Sequence, residues 1–275
     1  MYSWSKGIVH WTIKDTLYLS VVFSWDLRKA HEIAEASKKK VIIGGPAAKL
    51  NGIENEPLPY PPLPFHNPLA TFTTRGCVNH CEFCGVPDLE GELRELPTWE
   101  PRPVICDNNL LAASRKHFDK VIDSLKSMPF VDFNQGLEAA RFTPYHASRI
   151  AELKAVKVRF AFDSIGEESS IMDAIKTAQE AGIKDIGCYC LIGFKDTPED
   201  AKYRLELIRS AGALPNPMRF QPLRCQHKNE LIGDGWTKKQ LEDTMRYYSK
   251  LNYFGHVDFK DYRHGNYTNN GVLPI

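Results

Sequence analysis

Residues 71–87 read TFTTRGCVNHCEFCGVP, and three cysteines, Cys77, Cys81 and Cys84, stand in this stretch at C-x3-C-x2-C spacing. A structural zinc site takes four ligands, usually as two separated pairs. Here three thiols crowd one loop and no convincing distant pair follows. His80 lies inside the loop, where joint tetrahedral geometry with its neighbours is awkward. Soft thiolates also suit iron–sulfur clusters. A cubane cluster held by three cysteines leaves one iron without a protein ligand, open to a substrate or cofactor.

Working outward from the loop, strands alternate with helices. Leu69–Thr73 is a strand running into the cysteines. Val104–Asp107 is a strand ending in Asp107-Asn108-Asn109, with a helix to about Ser127. Val131–Asn134 ends in Gln135-Gly136, and a helix follows around Tyr145–Leu153. Val156–Phe162 ends in Asp163-Ser164, before a helix over about Ser170–Ala181. Asp185–Ile192 ends in Gly193, before a helix at Pro198–Ala211. Thr197 is its N-cap, Pro198 its first residue, and Glu199 and Asp200 fill its first turn. Arg219–Pro222 is the sixth strand. Such alternation predicts an α/β fold with a parallel sheet, curved or closed. Chemistry in such sheets sits at the C-terminal strand ends, where these polar residues fall.

The flanks differ. Residues 16–24, TLYLSVVFS, predict a buried strand. Asp26 caps the next helix, which has Leu27, Ala30, Ile33 and Ala34 on one face. Val41–Ile43 is a second strand, ended by Gly44-Gly45-Pro46. Residues 57–68 hold six prolines and predict a linker, neither helix nor central strand. Near the other end, Thr237–Leu251 predicts an amphipathic helix with Leu241, Met245, Tyr248 and Leu251 on one side. The tail GHVDFKDYRHGNYTNNG has no clear period, and its sequon at Asn266 is without meaning in a cytosolic protein. The expected organisation is an N-terminal βαβ-like unit (1–56), a Pro-rich linker (57–68), a barrel (69–225) and a C-terminal helical and irregular extension (226–275).

The chain has 275 residues and a formal net charge of +1, with 35 Lys and Arg against 34 Asp and Glu. That balance carries no footprint for nucleic acid or an anionic membrane. No apolar run approaches the ~18–20 residues of a membrane helix, and the start carries no secretory pattern. Seven cysteines, three of them in one loop, point to a reduced, cytoplasmic protein that uses thiols for metal.

The loop and the strand order together resemble the radical S-adenosylmethionine (radical SAM) superfamily, over about residues 69–225. Phe83, the aromatic before the third cysteine, is also typical of it. The resemblance implies a partial (β/α)6 TIM-like barrel and a 4Fe–4S cluster on Cys77, Cys81 and Cys84. It implies that the open iron chelates S-adenosylmethionine, whose reductive cleavage yields a 5′-deoxyadenosyl radical that takes hydrogen from a substrate. An electron donor such as flavodoxin or ferredoxin is implied as partner. Asp107, Asn108 and Asn109 then stand where the family binds the methionine amino group, in place of its usual Gly-Gly-Glu, with helix capping as the competing role. Arg141 is a candidate for the carboxylate, or a surface ion pair; Gln135 and Glu138 lie beside it. Asp163 and Ser164 match a ribose or methionine contact, or a cap. Ile192 and Gly193 match the adenine-binding segment.

Residues 16–50 resemble the closing part of a cobalamin-binding domain. The D-x-H-x-x-G cobalt motif is missing and His10 lacks its context, so no cobalamin is expected. Cys188 and Cys190 share one strand face and, with Cys225 and Cys106, are either a second cluster or radical site or small buried hydrophobes, the commoner use. Arg219 and Gln221 share one face, as substrate contacts or as solvated groups. The competing functions are a non-catalytic iron–sulfur or zinc scaffold and a radical enzyme that modifies nucleic acid. The substrate is not legible.

Overall fold

The computed structural model describes residues 4–54, 56–249, 257–262, 267–268 and 271–272. It begins with a three-stranded sheet. β1 (Ile8–Ile13) and β2 (Thr16–Val21) pair antiparallel around a turn at Lys14, whose φ is 52°. Helix α1 (Leu27–Ala36) leads to β3 (Lys40–Gly44), parallel to β2. The β2–α1–β3 unit therefore follows the sequence pattern, while β1 is a strand the pattern did not reveal. Leu19, Val21, Leu27, Ala30 and Ala47 form its core, with Ile33 and Ala34 packed against them. Each fully buried Leu or Val stabilises by ~1.5–3 kcal/mol. Asp26 precedes α1 in helical conformation and makes no side-chain cap bond. Its carboxyl lies instead where a side chain at Gly7 would be.

Two further short helices follow, α2 (Pro46–Leu50) and α3 (Leu63–His66). The second corrects the reading of 57–68 as excluding helix. Pro62 is its N-cap and Pro64 lies in its first turn, where a backbone N–H has no intrahelical partner to lose. His66 of this turn is buried and bonds to Ser5 and Ser20 through its two ring nitrogens.

Next come β4 (Ala70–Thr71), β5 (Thr74–Arg75), α4 (Val86–Glu90) and β6 (Arg94–Glu95), with β5 and β6 antiparallel. β7 (Val104–Ile105), α5 (Arg115–Leu125), β8 (Val131–Phe133) and α6 (Pro144–Ile150) follow. Then come β9 (Val156–Ala161), α7 (Glu168–Glu180), β10 (Asp185–Ile192), α8 (Pro198–Ser210) and β11 (Leu214–Arg219). The chain continues through α9 (Lys238–Tyr248) and a small pair, β12 (Tyr267–Thr268) and β13 (Gly271–Val272). Six strands form one parallel sheet in the order β11-β10-β9-β8-β7-β4. The fold is α/β, and no sheet among the described residues is closed.

Two compact units make up the chain. The first is Met1–Gln135 with Leu153–Ala155 and Gln221–Glu230; the second is Gly136–Glu152, Val156–Phe220 and Leu231–Ile275. Within the second, β9, β10 and β11 bury one face: Val158, Phe160, Cys188, Cys190, Pro215 and Pro217 are all in the buried class. Helices α7 and α8 supply Ile171, Ala174, Ile175, Ala201, Leu205 and Ile208 to the core.

β11 corrects the expected strand at Arg219–Pro222: it starts five residues earlier, ends at Arg219 and contains Pro215 and Pro217. It lies at the sheet edge. Phe220 N donates to Ile192 O at 2.9 Å, so even-numbered amides face β10 and the two prolines direct their missing donors outward. Proline in a strand is tolerated on that side. Gln221 lies beyond the strand and bonds to Asn229 instead of sharing a face with Arg219. Arg219 donates to Leu231 O. Helix α9 buries Leu241, Thr244, Tyr247 and Tyr248; Met245 is only half-buried. Leu251 and Asn266 lie outside the described residues.

Candidate functional site

The cysteine loop leaves β5 through Gly76, at φ +75°, where an added Cβ would lie 2.0 Å from Glu92 O. Only glycine passes there. Glu90 ties the loop base together: it pairs with Arg75 at 2.6 Å, accepts Gly76 N at 2.8 Å and accepts Asn108 Nδ2 at 2.9 Å. Cys81 O accepts Cys84 N at 2.9 Å, forming the turn that carries the second and third cysteines. Cys77 and Cys84 are half-buried and Cys81 is exposed. Phe83, between them, is half-buried. Cys77 Sγ receives the Asn79 backbone N–H at 3.3 Å and Asn109 Nδ2 at 3.7 Å.

Asn109, from the end of β7, is thus brought to the cysteines, and Asn108 reaches the same loop through Glu90. Asp107 is not directed there. Its Oδ1 accepts Thr73 N at 2.6 Å and Thr74 N at 2.9 Å, and its Oδ2 takes the Thr73 hydroxyl. It is a strut between β7 and the segment entering the loop, and burial pushes its carboxyl up to about 6. Gln135 is exposed.

The donor chemistry of the loop suits a sulfur-liganded cluster, with the N–H groups of Asn79 and Asn109 directed at the Cys77 sulfur. Yet among the described residues no three His, Cys, Asp or Glu side chains stand together closely enough to hold a metal ion. Ligation would have to draw the three thiols together, as occurs where metal binding and local folding are coupled.

In the second unit, Arg141 pairs with Glu138 at 2.7 Å and is exposed. Ser164 caps the following turn in a reciprocal bond with Glu167. Asp163 sits at the C-terminal end of β9, half-buried, with Oδ1 accepting Leu191 N at 3.3 Å. Burial first, and then Glu167, push its carboxyl up to about 6. Ile192 is fully buried and its carbonyl accepts Phe220 N. Gly193 N donates to Asp196 Oδ1 at 2.8 Å. A Cβ at Gly233 would lie 2.6 Å from Gly193 O, so it is the missing side chain of Gly233 that lets it pack on the Gly193 carbonyl. Ile192 O and Gly193 N, both expected for adenine, are engaged internally.

The largest side chain under 2% exposed among the described residues is one the sequence reading missed. Arg204, 1% exposed, donates to Phe162 O at 2.7 Å, Cys190 Sγ at 3.0 Å, Leu191 O at 2.9 Å and Asp196 Oδ2 at 2.7 Å. Asp196 also accepts Phe194 N and Trp236 Nε1, each at 3.1 Å. The pair therefore holds the ends of β9 and β10 together. The signal was present: Arg204 shares the 201/204/205/208 stripe of α8 with Ala201, Leu205 and Ile208, a core position for a charge. Cys188 and Cys190 are fully buried; burial raises both thiols, Cys190 to about 12. Cys106 is buried likewise, at about 12. That is how small core residues behave.

No described helix is long and apolar enough to cross a membrane. The chain matches no protein-family model and no curated protein.

Proposed function

We propose that the chain is a radical SAM enzyme, with the six-stranded sheet as the wall of a partial (β/α)6 barrel and Cys77, Cys81 and Cys84 as ligands of a 4Fe–4S cluster. The observation that carries the reading is the contact of Asn109, from the end of the sheet's second strand, with Cys77 in the loop after its first. When bound, the cluster and S-adenosylmethionine supply the radical; the protein's part is to bind, orient and shield. Cys77, Cys81 and Cys84 offer the thiolates, and Asn109 and the Asn79 amide stabilise charge on Cys77. Asn109, at the end of β7, is the polar group assigned to the cofactor. A low-potential donor such as flavodoxin or ferredoxin supplies the electron, and the hydrogen donor is an organic substrate.

Anaerobic reconstitution with iron and sulfide tests this. About four irons per chain, and 5′-deoxyadenosine release on reduction with S-adenosylmethionine, are expected. Alanine at Cys77, Cys81 or Cys84 should remove cluster absorption and cleavage together. One bound zinc per chain with no cleavage would overturn the reading in favour of a scaffold.

A further inference from the structure

Four polar side chains of the first unit form a line from solvent to the buried segment that enters the cysteine loop. Thr73 is fully buried, Asp107 is 3% exposed and His117 is 6% exposed. The Thr73 hydroxyl donates to Asp107 Oδ2, and His117 Nε2 lies 3.3 Å from Thr73 Oγ1. His117 Nδ1 lies 3.7 Å from Glu95 Oε2. The Glu95 side chain is 38% exposed and is fixed by accepting Ser114 N at 2.6 Å. The Trp99 ring packs on the imidazole at 5.2 Å.

We propose that Glu95, His117 and Thr73 form a proton relay between solvent and the Asp107 carboxyl, so that Asp107 changes charge without being exposed. A hydroxyl is the one side-chain group that accepts and donates at the same oxygen, and Thr73 stands where both are needed. In the starting arrangement Asp107 is ionised, Thr73 donates to it, and the neutral His117 donates from Nε2 to Thr73. A proton from solvent, passed by the Glu95 carboxyl, binds His117 Nδ1. The Nε2–H bond then breaks as a new Thr73 Oγ1–H bond forms. The old Thr73 O–H bond breaks as the Asp107 Oδ2–H bond forms. One proton has entered from solvent and one has reached Asp107; His117 is neutral again and bears its proton on Nδ1.

Burial raises Asp107 to about 6 and lowers His117, so both effects favour the proton on the carboxyl. Other charged and titratable groups among the described residues also face the line. Arg75, paired with Glu90, faces Asp107 and opposes protonation, while Cys106 next to it keeps its thiol neutral. Glu95 and Lys120 face His117. Asp107 bonds to the backbone of Thr73 and Thr74, just before the cysteines. With a cluster held by the loop, its proton would offset the charge added on reduction; this last role rests on the proposed function.

The relay is tested on the protein without a cluster, by infrared detection of the protonated carboxyl after a pH jump, with the band assigned by its loss in Asp107→Asn. Thr73→Val should slow proton arrival by about a hundredfold, within the range contributed by a positioned proton donor. Thr73→Ser, which keeps the hydroxyl, should restore it. His117→Gln, which interrupts the line without touching Asp107, should slow it as Thr73→Val does. Arrival as fast as wild type in both Thr73→Val and His117→Gln would overturn the relay. In reconstituted protein, the reduction equilibrium should shift about tenfold per pH unit, ~59 mV for a one-electron couple, and lose that dependence in Asp107→Asn. Failure to assemble any cluster would count against the proposed function alone, because the infrared result decides the relay by itself.

Discussion

Replacing Arg204 with methionine should cost the second unit about 3–5 kcal/mol, the usual loss when one member of a buried ion pair is removed. The structure supports the upper part of that range. The side chains of Arg204 and Asp196 are 1% and 7% exposed, so water cannot replace the guanidinium. Arg204→Met also strips a donor from the carbonyls of Phe162 and Leu191, and an unsatisfied buried acceptor costs ~1–3 kcal/mol. Asp196 keeps its bonds from Gly193, Phe194 and Trp236, which limits the damage. Burial already raises the Asp196 carboxyl, and Arg204 is the main group opposing that rise. Without Arg204 the carboxyl rises further, so the folded variant holds a proton more tightly than its unfolded chain. The penalty is therefore smallest in acid, where Asp196 is protonated, and grows as pH climbs through its folded pKa. Urea unfolding at pH 5 and pH 8 checks this, with far-UV circular dichroism for the fold and Trp236 fluorescence for the Asp196 contact. Arg204→Met with Asp196→Asn should regain part of the loss at pH 8. A penalty under about 1 kcal/mol, or one equal at both pH values, would refute the view that this buried pair clamps the strand ends.

Asp107 and Asp163 make a second pH prediction. Both are raised by burial from 3.8 to about 6, so each contributes stability below pH ~4 that is lost as pH rises through ~6, up to roughly 3 kcal/mol per group. Asp107→Asn should therefore gain on wild type in urea midpoints as pH goes from 4.5 to 7.5; parallel curves would contradict the burial argument. Gly76→Ala and Gly91→Ala separate steric from conformational cost. Both glycines have φ above +70°, yet a Cβ at Gly91 meets nothing within 4 Å and one at Gly76 meets backbone at 2.0 Å. Gly91→Ala should cost ~1–3 kcal/mol and Gly76→Ala clearly more, with opening of the Thr74–Arg75 pairing seen by amide exchange. Equal losses would remove the steric explanation.

Strands with apolar, β-branched runs and polar ends were legible because local pattern and tertiary use agree there: Asp185–Ile192 forms β10 at those bounds. The Thr197 cap was legible for the same reason, since Thr197 accepts Asp200 N at 3.1 Å. Proline misled in α3, because its cost depends on whether the missing N–H had a partner. Helix position and sheet edge decide that, and neither is visible in composition. Asp107, Asn108 and Asn109 were legible as a polar strand end but not as three separate roles. Their partners, Thr73, Glu90 and Cys77, are at least 18 positions away in sequence.

The cysteine spacing and the strand–helix alternation are local properties, and they by themselves determined the α/β class and the loop to which the chemistry is assigned. Which groups actually face that loop, and which charges are buried, depended on contacts far apart in the chain. Burial changes a side chain's meaning: Arg204 and Asp196 became a clamp, Gly193 a seat for Gly233, and Asp107 with Thr73 and His117 a line for protons. Desolvation and hydrogen-bond geometry arise only when the chain is folded, so only the tertiary structure could decide them.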